Sequence, residues 1–415
     1  MRKPRWFSFV ALLFVLSLVA AACADDEPSS TGGGGDSPTA ACDEDEFGCV
    51  EVAAGDPIQL GTLLVITGEN ASLGLDSQYG AQIAVDMYGE VAGHSVELVN
   101  EDDGCTAEGG TTGARNLVSN ESIAAVIGTS CSSAGEPAAQ ITSDAGVTMI
   151  SASNTAPSLT DPATHQPFYL RTAHNDKIQG AAMAQFVGEE LGLTTAATIH
   201  DGSPYAEQLQ QVFADTFTSE YGGEITGQEA ILVGDTDMKP ALTSVAAAKP
   251  EFLYFPVFVA EGGLLAAQGR ETAGLEDTKF GGADGIQTPD WIDAAGAENA
   301  EGAYLSGPDL AFGGSFYEDE FLPAYTEKFD KPASVFHAHA FDATNMVLNA
   351  IGEVAIVDGE SLSIPRTALR DALFATSDYE GITGILTCDE NGDCNPGASI
   401  SVSEVVDGAF VRIWP

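Results

Sequence analysis

Short apolar runs and longer amphipathic segments alternate along almost the whole chain after residue 57. Apolar runs of roughly four to eight residues predict buried strands, and amphipathic segments of about a dozen residues or more predict helices. The predicted strands include residues 60–66, 96–99, 123–127, 147–151, 196–199 and 252–258. The predicted helices include residues 76–91, 177–191, 205–221 and 336–351. Repeated strand and helix units of this kind indicate an α/β fold, with parallel sheets covered by helices on both faces.

The number of these elements predicts more than one hydrophobic core. More than about ten strands and helices exceed what one core usually supports, so we expect two lobes. No Gly-, Ser- or Pro-rich linker divides the alternating pattern after residue 57, which favours a chain that crosses between the lobes more than once. The sequence shows no internal repeat of the length that solenoid proteins have.

Two hydroxyl-rich turns follow neighbouring predicted strands between Gly128 and Pro157. Ser132 lies where the first strand gives way to a helix, and Ser153 and Thr155 follow the second strand. A helix start offers unpaired backbone N–H groups and a partial positive charge, and hydroxyl groups add donors. Helix capping alone would explain either turn. Two such turns at the carboxyl ends of adjacent parallel strands predict a site that binds an anion.

The N-terminal residues have the composition of an export signal followed by a tether. Residues 1–22 join a basic start to an apolar run too short to span a membrane, which predicts a signal peptide. The small residues before Cys23 resemble the lipobox of bacterial lipoproteins, with Ala20 where leucine is usual, and predict lipidation of Cys23. An ordinary secretory cleavage site is the alternative. Residues 23–57 are predicted to form an acidic flexible linker, because their Gly-, Ser- and Pro-rich part is too polar to pack.

The charge of the chain is strongly negative. The formal net charge is −47, and removal of the three basic residues of the predicted signal leaves −50. Such an excess of carboxylates argues against nucleic acid and anionic membrane surfaces as partners. The acidic residues are spread along the chain, which indicates a generally solvated surface rather than a binding tail.

Six cysteines remain if Cys23 is lipidated, and disulfides persist in an exported protein. Six cysteines allow 15 pairings, so the sequence alone does not decide among them. Short spacing suggests the pairs Cys42 with Cys49 and Cys388 with Cys394. A metal site is the alternative, but the chain has no CxxC pair or His/Cys cluster, so we predict no metal and no cofactor.

Several motifs resemble those of the leucine/isoleucine/valine-binding proteins, the amino-acid receptors of one class of ABC importers. The resemblance runs from about residue 58 to the C-terminus. It rests on the order and spacing of ITGENASLG, VNEDDGC, CSS, SNTAP, LRTAHND, IHDGSPYAEQL, EFLYFPVF, FGGADG and TCDENGD. It implies the type I periplasmic-binding-protein fold, in which two Rossmann-like lobes are joined by a multi-strand hinge. Lobe 1 would hold residues 58–172 plus 308–375, and lobe 2 would hold residues 173–307 plus 376–415.

The resemblance also implies which side chains bind the charged groups of an amino acid. Ser132, Ser153 and Thr155 would bind its carboxylate, because a buried carboxylate needs hydrogen-bond donors in place of water. Asp284 stands where the family often has a glutamate that pairs with the ligand's ammonium. An Asp-Gly pair is also common in simple turns, which is the alternative for Asp284.

The resemblance also implies the apolar side chains of the site and one disulfide. Tyr205 and Phe258 would form aromatic walls of the cleft, although either ring could instead belong to the core. Leu73 would touch the side-chain pocket. The resemblance further implies a disulfide between Cys105 and Cys131.

Together these features predict a receptor that delivers an amino acid, branched-chain or otherwise apolar, to an ABC importer. A ligand held by donors on one lobe and an acid on the other would favour the closed form. A receptor for an amide, urea or aromatic acid, and a sensing lobe for a signalling partner, are the alternatives. No nucleophile with an adjacent base is visible, so we predict no catalysis. We expect an exported, lipid-anchored monomer, facing the periplasm or the cell exterior, whose partners are the amino acid and membrane permease subunits.

Overall fold

The structure is a computed structural model, and it describes residues 40–415. Its strands are β1 Cys49–Val52, β2 Ile58–Leu64, β3 Glu90–Val91, β4 His94–Asp102, β5 Ile123–Gly128, β6 Thr148–Ser151, β7 Tyr169–Arg171, β8 Thr195–His200, β9 Glu224–Ala230, β10 Phe252–Tyr254, β11 Lys279–Gly282, β12 Tyr304–Pro308, β13 Ile356–Asp358, β14 Ser361–Pro365, β15 Tyr379–Gly381, β16 Gly384–Leu386, β17 Ile400–Val406 and β18 Ala409–Trp414. Its α-helices are α1 Ala40–Glu44, α2 Ala71–Tyr88, α3 Ala107–Ser119, α4 Ser132–Asp144, α5 Asp176–Gln185, α6 Pro204–Ser219, α7 Lys239–Ala246, α8 Val259–Arg270, α9 Pro289–Ala295, α10 Ala297–Ala300, α11 Leu322–Phe329, α12 His337–Val354 and α13 Arg366–Phe374.

Lobe 1 is built on a six-stranded sheet with the order β3-β4-β2-β5-β6-β7. Its strands run parallel, except that β3 is antiparallel to β4. All six residues of β5 are buried, because helices cover both faces of the sheet. Ala125 and Ile127 pack with side chains of α2 and α12 on one face, whereas Val126 packs with those of α3 and α4 on the other.

Lobe 2 is built on a seven-stranded sheet with the order β18-β17-β12-β11-β10-β8-β9. The five strands from β12 to β9 are parallel, and β17 and β18 add an antiparallel edge. Leu209 and Phe213 of α6 and Leu265 of α8 share one apolar core with Leu253 of β10. Two parallel α/β sheets covered by helices confirm the predicted fold class.

The chain passes between the two sheets after β7, after β12 and before β17. The first crossing follows Arg171 and the second follows Pro308. The hairpin of β15 and β16 packs on lobe 1, where Leu386 joins the apolar cluster of Leu369 and Leu373 from α13. The return to lobe 2 therefore comes at β17, later than the expected boundary at residue 376.

An ordered segment precedes the first lobe. The Cys42–Cys49 disulfide joins α1 to β1, and β1 pairs antiparallel with β14. The ring of Phe47 packs edge-on against Phe168, with their centroids 5.0 Å apart. The prediction of a flexible linker over residues 23–57 is therefore wrong for this part, because the disulfide, the strand pairing and the aromatic contact hold it on lobe 1. The predicted signal peptide and Cys23 lie outside the described residues.

Three disulfides have the pairings that were predicted, namely Cys42–Cys49, Cys105–Cys131 and Cys388–Cys394. The predicted strand over 252–258 is shorter than expected, because β10 ends at Tyr254 and Phe258 is the residue before α8. Among residues 40–415, no helix has both the length and the apolar character needed to cross a membrane.

Candidate functional site

Six side chains predicted from the sequence follow strands of the two sheets, β5 and β6 in lobe 1 and β8, β10 and β11 in lobe 2. They are Ser132, Ser153, Thr155, Tyr205, Phe258 and Asp284. Each is at most 7% exposed. The carboxyl ends of parallel strands are where open α/β sheets bind ligands.

Direct contacts join the two lobes around these residues. The backbone N–H of Ser158 in lobe 1 donates to Oε1 of Gln208 in lobe 2 at 2.9 Å, and Nε2 of Gln208 donates to Oγ of Ser158 at 2.9 Å. The N–H of Val259 in lobe 2 donates to Oδ1 of Asn70 in lobe 1 at 3.4 Å. The structure is therefore a closed form, in which the site is shielded from solvent.

The lobe 1 turns are held together by an internal hydrogen-bond network. Ser151 Oγ donates to the carbonyl of Thr129 at 2.8 Å and accepts from the N–H groups of Ser153 and Asn154 at 3.2 and 2.9 Å. Ser153 Oγ donates to the carbonyl of Ser130 at 3.0 Å. The hydrogen of the Ser153 hydroxyl is thus used within the turn, and this side chain offers a ligand an acceptor rather than a donor.

Two other hydroxyls of lobe 1 keep donor capacity. Ser132 Oγ accepts from the N–H of Ala156 at 3.2 Å, which leaves its own hydrogen for another acceptor. Thr155 Oγ1 is buried and makes no hydrogen bond of normal geometry with the described residues, although it lies near the Asp176 carboxylate. Ser132 is also the first residue of α4, whose N-cap residue Cys131 makes no side-chain cap. A helix N-terminus and two hydroxyls form a set of donors suited to a carboxylate.

Buried carboxylates face this donor set from lobe 2. Asp284 is 4% exposed, and its Oδ1 accepts from Gln179 Nε2 at 2.7 Å and from the Tyr205 hydroxyl at 3.1 Å. The Tyr205 and Phe258 rings lie side by side with centroids 5.1 Å apart. The structure thus brings together the three lobe 2 residues predicted from the sequence.

Asp176 is a second acid at this position that the sequence analysis did not identify. It is the first residue of α5, its N–H donates to the carbonyl of Thr155 at 2.9 Å, and it is fully buried. Neither of its carboxylate oxygens makes a hydrogen bond of normal geometry among residues 40–415, but the Thr155 hydroxyl lies close enough to oppose the rise in its pKa. The signal that could have found it is the polar segment that follows β7 in LRTAHND, since it ends in an acid at a helix start.

A histidine completes the group of buried acceptors. His174 Nε2 hydrogen bonds to Gln179 Oε1, and this orients the Gln179 amide so that its NH₂ faces Asp284. One ligand atom each of His174, Asp176 and Asp284 lies within 4.8 Å of the others. These three groups could receive an ammonium, because all of them offer lone pairs to a cation.

Burial and charge shift the protonation of these groups. Burial raises the pKa of Asp284 to about 6, against the opposing hydrogen bonds from Gln179 and Tyr205. Burial raises the pKa of Asp176 well above its ordinary value, and the Asp284 carboxylate raises it further. Burial lowers the pKa of His174 to about 4, so its imidazole is neutral near pH 7. Each shift disfavours an unpaired buried charge.

Arg171 holds one turn of the site in place, and the sequence analysis did not identify it either. It is fully buried and forms an ion pair with Asp393, in the loop that the Cys388–Cys394 disulfide closes. Its Nη1 donates to the carbonyls of Asn154 and Ala156 at 3.2 and 2.9 Å. The arginine therefore fixes the turn that carries Thr155, while its charge is balanced by Asp393.

Apolar side chains from both lobes meet around the charged groups. Leu73 and Cys131 of lobe 1 belong to the same buried cluster as Tyr205 and Phe258 of lobe 2. A neighbouring pocket of about 520 Å³ lies between the lobes, and its lining combines the apolar Leu75, Leu310 and Phe410 with the charged Asp76, Asp290 and Lys331. An apolar wall beside donor and acceptor groups suits a ligand with two charged groups and an apolar side chain.

Two α/β lobes closed over a buried site of donors and acids define a receptor for small molecules. Comparison of the chain with known proteins supports this class. The chain belongs to the periplasmic binding protein family, whose model matches residues 57–409. The leucine-, isoleucine-, valine-, threonine- and alanine-binding protein of Pseudomonas aeruginosa is 30% identical over 343 residues, which are 82% of this chain and 88% of that protein.

Solved structures agree with this assignment. The leucine-binding protein of Thermotoga maritima superposes with a TM-score of 0.77 at 26% identity, covering 86% of this chain and 97% of that one. A branched-chain amino acid transporter substrate-binding protein of Streptococcus pneumoniae, solved in complex with isoleucine, gives a TM-score of 0.74 at 26% identity, covering 86% and 100%. These relatives are binding proteins by name, and the family is one of exported proteins.

Proposed function

We propose that this protein is a receptor that binds an apolar, branched-chain amino acid and delivers it to an ABC importer without catalysing a reaction. The observation that carries the proposal is the division of the closed site between the lobes. Ser132 and Thr155 offer donors on one side, and Asp176 and Asp284 offer acceptors on the other. An α-amino acid presents the matching pair of groups, a carboxylate and an ammonium.

The apolar surroundings favour an aliphatic side chain on that amino acid. Leu73, Tyr205 and Phe258 provide no charged partner for a side chain, so burial of apolar surface would supply the binding energy there. The named ligands of the relatives are consistent with this chemistry. A ligand without an amine, such as an amide, urea or aromatic acid, would leave two buried carboxylates with no counter-charge, which is unfavourable.

The N-terminal sequence extends the proposal to a lipid anchor at Cys23 and to delivery at the membrane. The lipobox-like residues before Cys23 support the anchor, and the family supports an ABC permease as the partner. We expect the expressed full chain to fractionate with membranes and a Cys23→Ser variant to fractionate with soluble proteins. Equal fractionation of the two would reject the anchor without affecting the ligand.

The proposal is tested by calorimetric titration of the ligand-stripped protein with a panel of ligands. The panel holds leucine, isoleucine, valine, threonine and alanine, together with 4-methylpentanoate, the amine-free analogue of leucine, and leucinamide, which lacks the carboxylate. We expect tight binding of the branched-chain amino acids only. Asp284→Asn should weaken that binding by about 30-fold or more, because truncation of a buried charge pair costs about 2–5 kcal/mol.

A matched substitution distinguishes loss of a contact in the binding site from a change in the net charge of the protein. Asp215 lies on the exposed side of α6 in the same lobe, so Asp215→Asn removes one carboxylate without touching the site. We expect its affinity for leucine to equal that of the unmodified protein. Binding confined to amine-free ligands, or equal affinities in the Asp284→Asn and Asp215→Asn variants, would reject the amino-acid assignment.

A further inference from the structure

The Asp176–Asp284 pair places two carboxylates close together with no cation of its own. Both residues are at most 4% exposed, and their oxygens approach within 4.8 Å. Gln179 and Tyr205 donate to Oδ1 of Asp284. Neither oxygen of Asp176 makes a hydrogen bond of normal geometry with the described residues, and the nearby Thr155 hydroxyl only partly offsets the burial of this acid. Two ionised carboxylates in such a site repel each other and lack the water that would otherwise solvate them.

The charged and titratable groups around the pair leave this repulsion in place. Arg171 is the nearby cation and favours the ionised form of Asp176, but its ion pair with Asp393 balances its charge, and the pKa of Asp176 stays well above the ordinary value. The other neighbours are His174, Tyr205 and Tyr254, and all three are neutral near pH 7. Burial lowers the pKa of His174, and burial raises the pKa of both tyrosines.

We propose that the Asp176–Asp284 pair holds one proton before a ligand binds, and that the ammonium of the ligand takes its place and releases it. The inference rests on the proposed function, since it requires a ligand with an ammonium group. In this exchange one carboxylic O–H bond breaks, the proton passes to a buffer base, and the ammonium keeps its own protons. The charge of the acid pair with its cation is unchanged, because the ammonium replaces the proton, and the carboxylate of the ligand is held by the donors of lobe 1.

The direction of the pH effect follows from this exchange. The pKa of Asp284 is raised to about 6 and that of Asp176 is raised as well, whereas a bound ammonium favours the ionised form and lowers both pKa values. Protons are therefore released when the pH lies between the pKa values of the bound and the free pair. Affinity for the ligand rises with pH across that window and becomes constant above it.

The test is calorimetric titration of the protein with leucine at about pH 6 in buffers of different ionisation enthalpy, with EDTA present to remove metal ions. The slope of the observed enthalpy against the buffer enthalpy gives the number of protons exchanged. We expect release of roughly half a proton or more per leucine, and no release with 4-methylpentanoate, which carries no ammonium.

Two variants locate the proton. Asp176→Asn leaves Asp284 alone, whose pKa is raised to about 6 by burial. The variant is therefore compared with the unmodified protein at about pH 7, where we expect its release to fall to a small fraction of the unmodified value. Asp342→Asn is the control, since Asp342 is a buried acid of lobe 1 whose pKa is also raised to about 6. Its carboxylate accepts hydrogen bonds from the N–H groups of Ile382 and Thr383. Release should persist in this variant.

The outcomes separate the inference from the proposed function. Leucine binding with proton release near zero between about pH 5 and 7 would overturn the inference and leave the receptor in place. Release at about pH 7 that is as large in Asp176→Asn as in the unmodified protein would assign the proton to another group and also overturn it. Failure of every amino acid to bind would reject the function itself. The buffer series on the unmodified protein decides the question even if a variant does not fold.

Discussion

The two sides of the binding site are built in opposite ways. On the lobe 1 side, Ser151, Ser153 and Asn154 satisfy one another and the neighbouring backbone through hydrogen bonds within the protein. On the other side, Asp176 is fully buried, and neither of its oxygens makes a hydrogen bond of normal geometry with the described residues. The turn around Ser151 is therefore pre-formed, whereas the Asp176 carboxylate needs a cation or a proton beside it. This difference implies that polar substitutions on the two sides change stability with opposite sign.

The largest expected effect is loss of stability in a Ser151→Ala variant. Ser151 Oγ accepts from two buried N–H groups and donates to the carbonyl of Thr129, which keeps a second donor in Asn154 Nδ2. The substitution leaves the N–H groups of Ser153 and Asn154 without this partner. Each buried unpaired group costs about 1–3 kcal/mol, so we expect a loss of about 2–4 kcal/mol in the free energy of unfolding, measured by chemical denaturation.

Ser219→Ala is the matched control for that measurement. Ser219 is exposed at the end of α6, so its substitution should change the unfolding free energy by less than about 0.5 kcal/mol. If Ser151→Ala lost no more stability than this control, the lobe 1 turns would not depend on their internal hydrogen bonds, and the contrast between the two sides would fail.

The difference between the two sides also explains what the sequence could predict. The lobe 1 side is made of local features, in which a buried strand, a hydroxyl turn and a helix start follow one another over Ile123–Ser133 and again after β6. Such features are visible in a linear pattern, so the α/β fold and the position of both turns were predicted from it. Asp284 was found through the family resemblance, since an Asp-Gly pair alone favours only a turn.

The parts that were missed depend on contacts between residues far apart in the chain. The ion pair of Arg171 with Asp393 joins positions separated by 222 residues, and Gln179 meets Asp284 across 105. The role of Asp176 depends on its burial beside Asp284, which the folded lobes create. The packing of residues 42–52 on lobe 1 likewise depends on β14, which follows much later in the chain. Linear periodicity carries no information on such pairs.

Asp176→Asn should change the free energy of unfolding by less than Ser151→Ala and in the opposite direction. We expect it to stabilise the ligand-free protein and to weaken leucine binding. The substitution removes a buried charge that repels Asp284, and its amide NH₂ can donate to that carboxylate. Relief of such repulsion by about one pKa unit corresponds to about 1.4 kcal/mol, so we expect a gain of about 1 kcal/mol near pH 8. Residues that bind ligands are often kept at such a cost in stability.

The pH dependence of this gain identifies its cause. The folded protein raises the pKa of Asp176 and Asp284, so it binds protons more tightly than the unfolded chain and loses stability as the pH rises through the raised pKa values. The difference in unfolding free energy between Asp176→Asn and the unmodified protein should therefore be near zero at about pH 4 and grow towards pH 8. Denaturation curves at several pH values, without ligand, measure it. A gain in unfolding free energy that is constant with pH would trace the stabilisation to packing. A loss at every pH would mean that Asp176 has a hydrogen-bond partner in the folded protein, and the contrast between the two sides of the site would then fail.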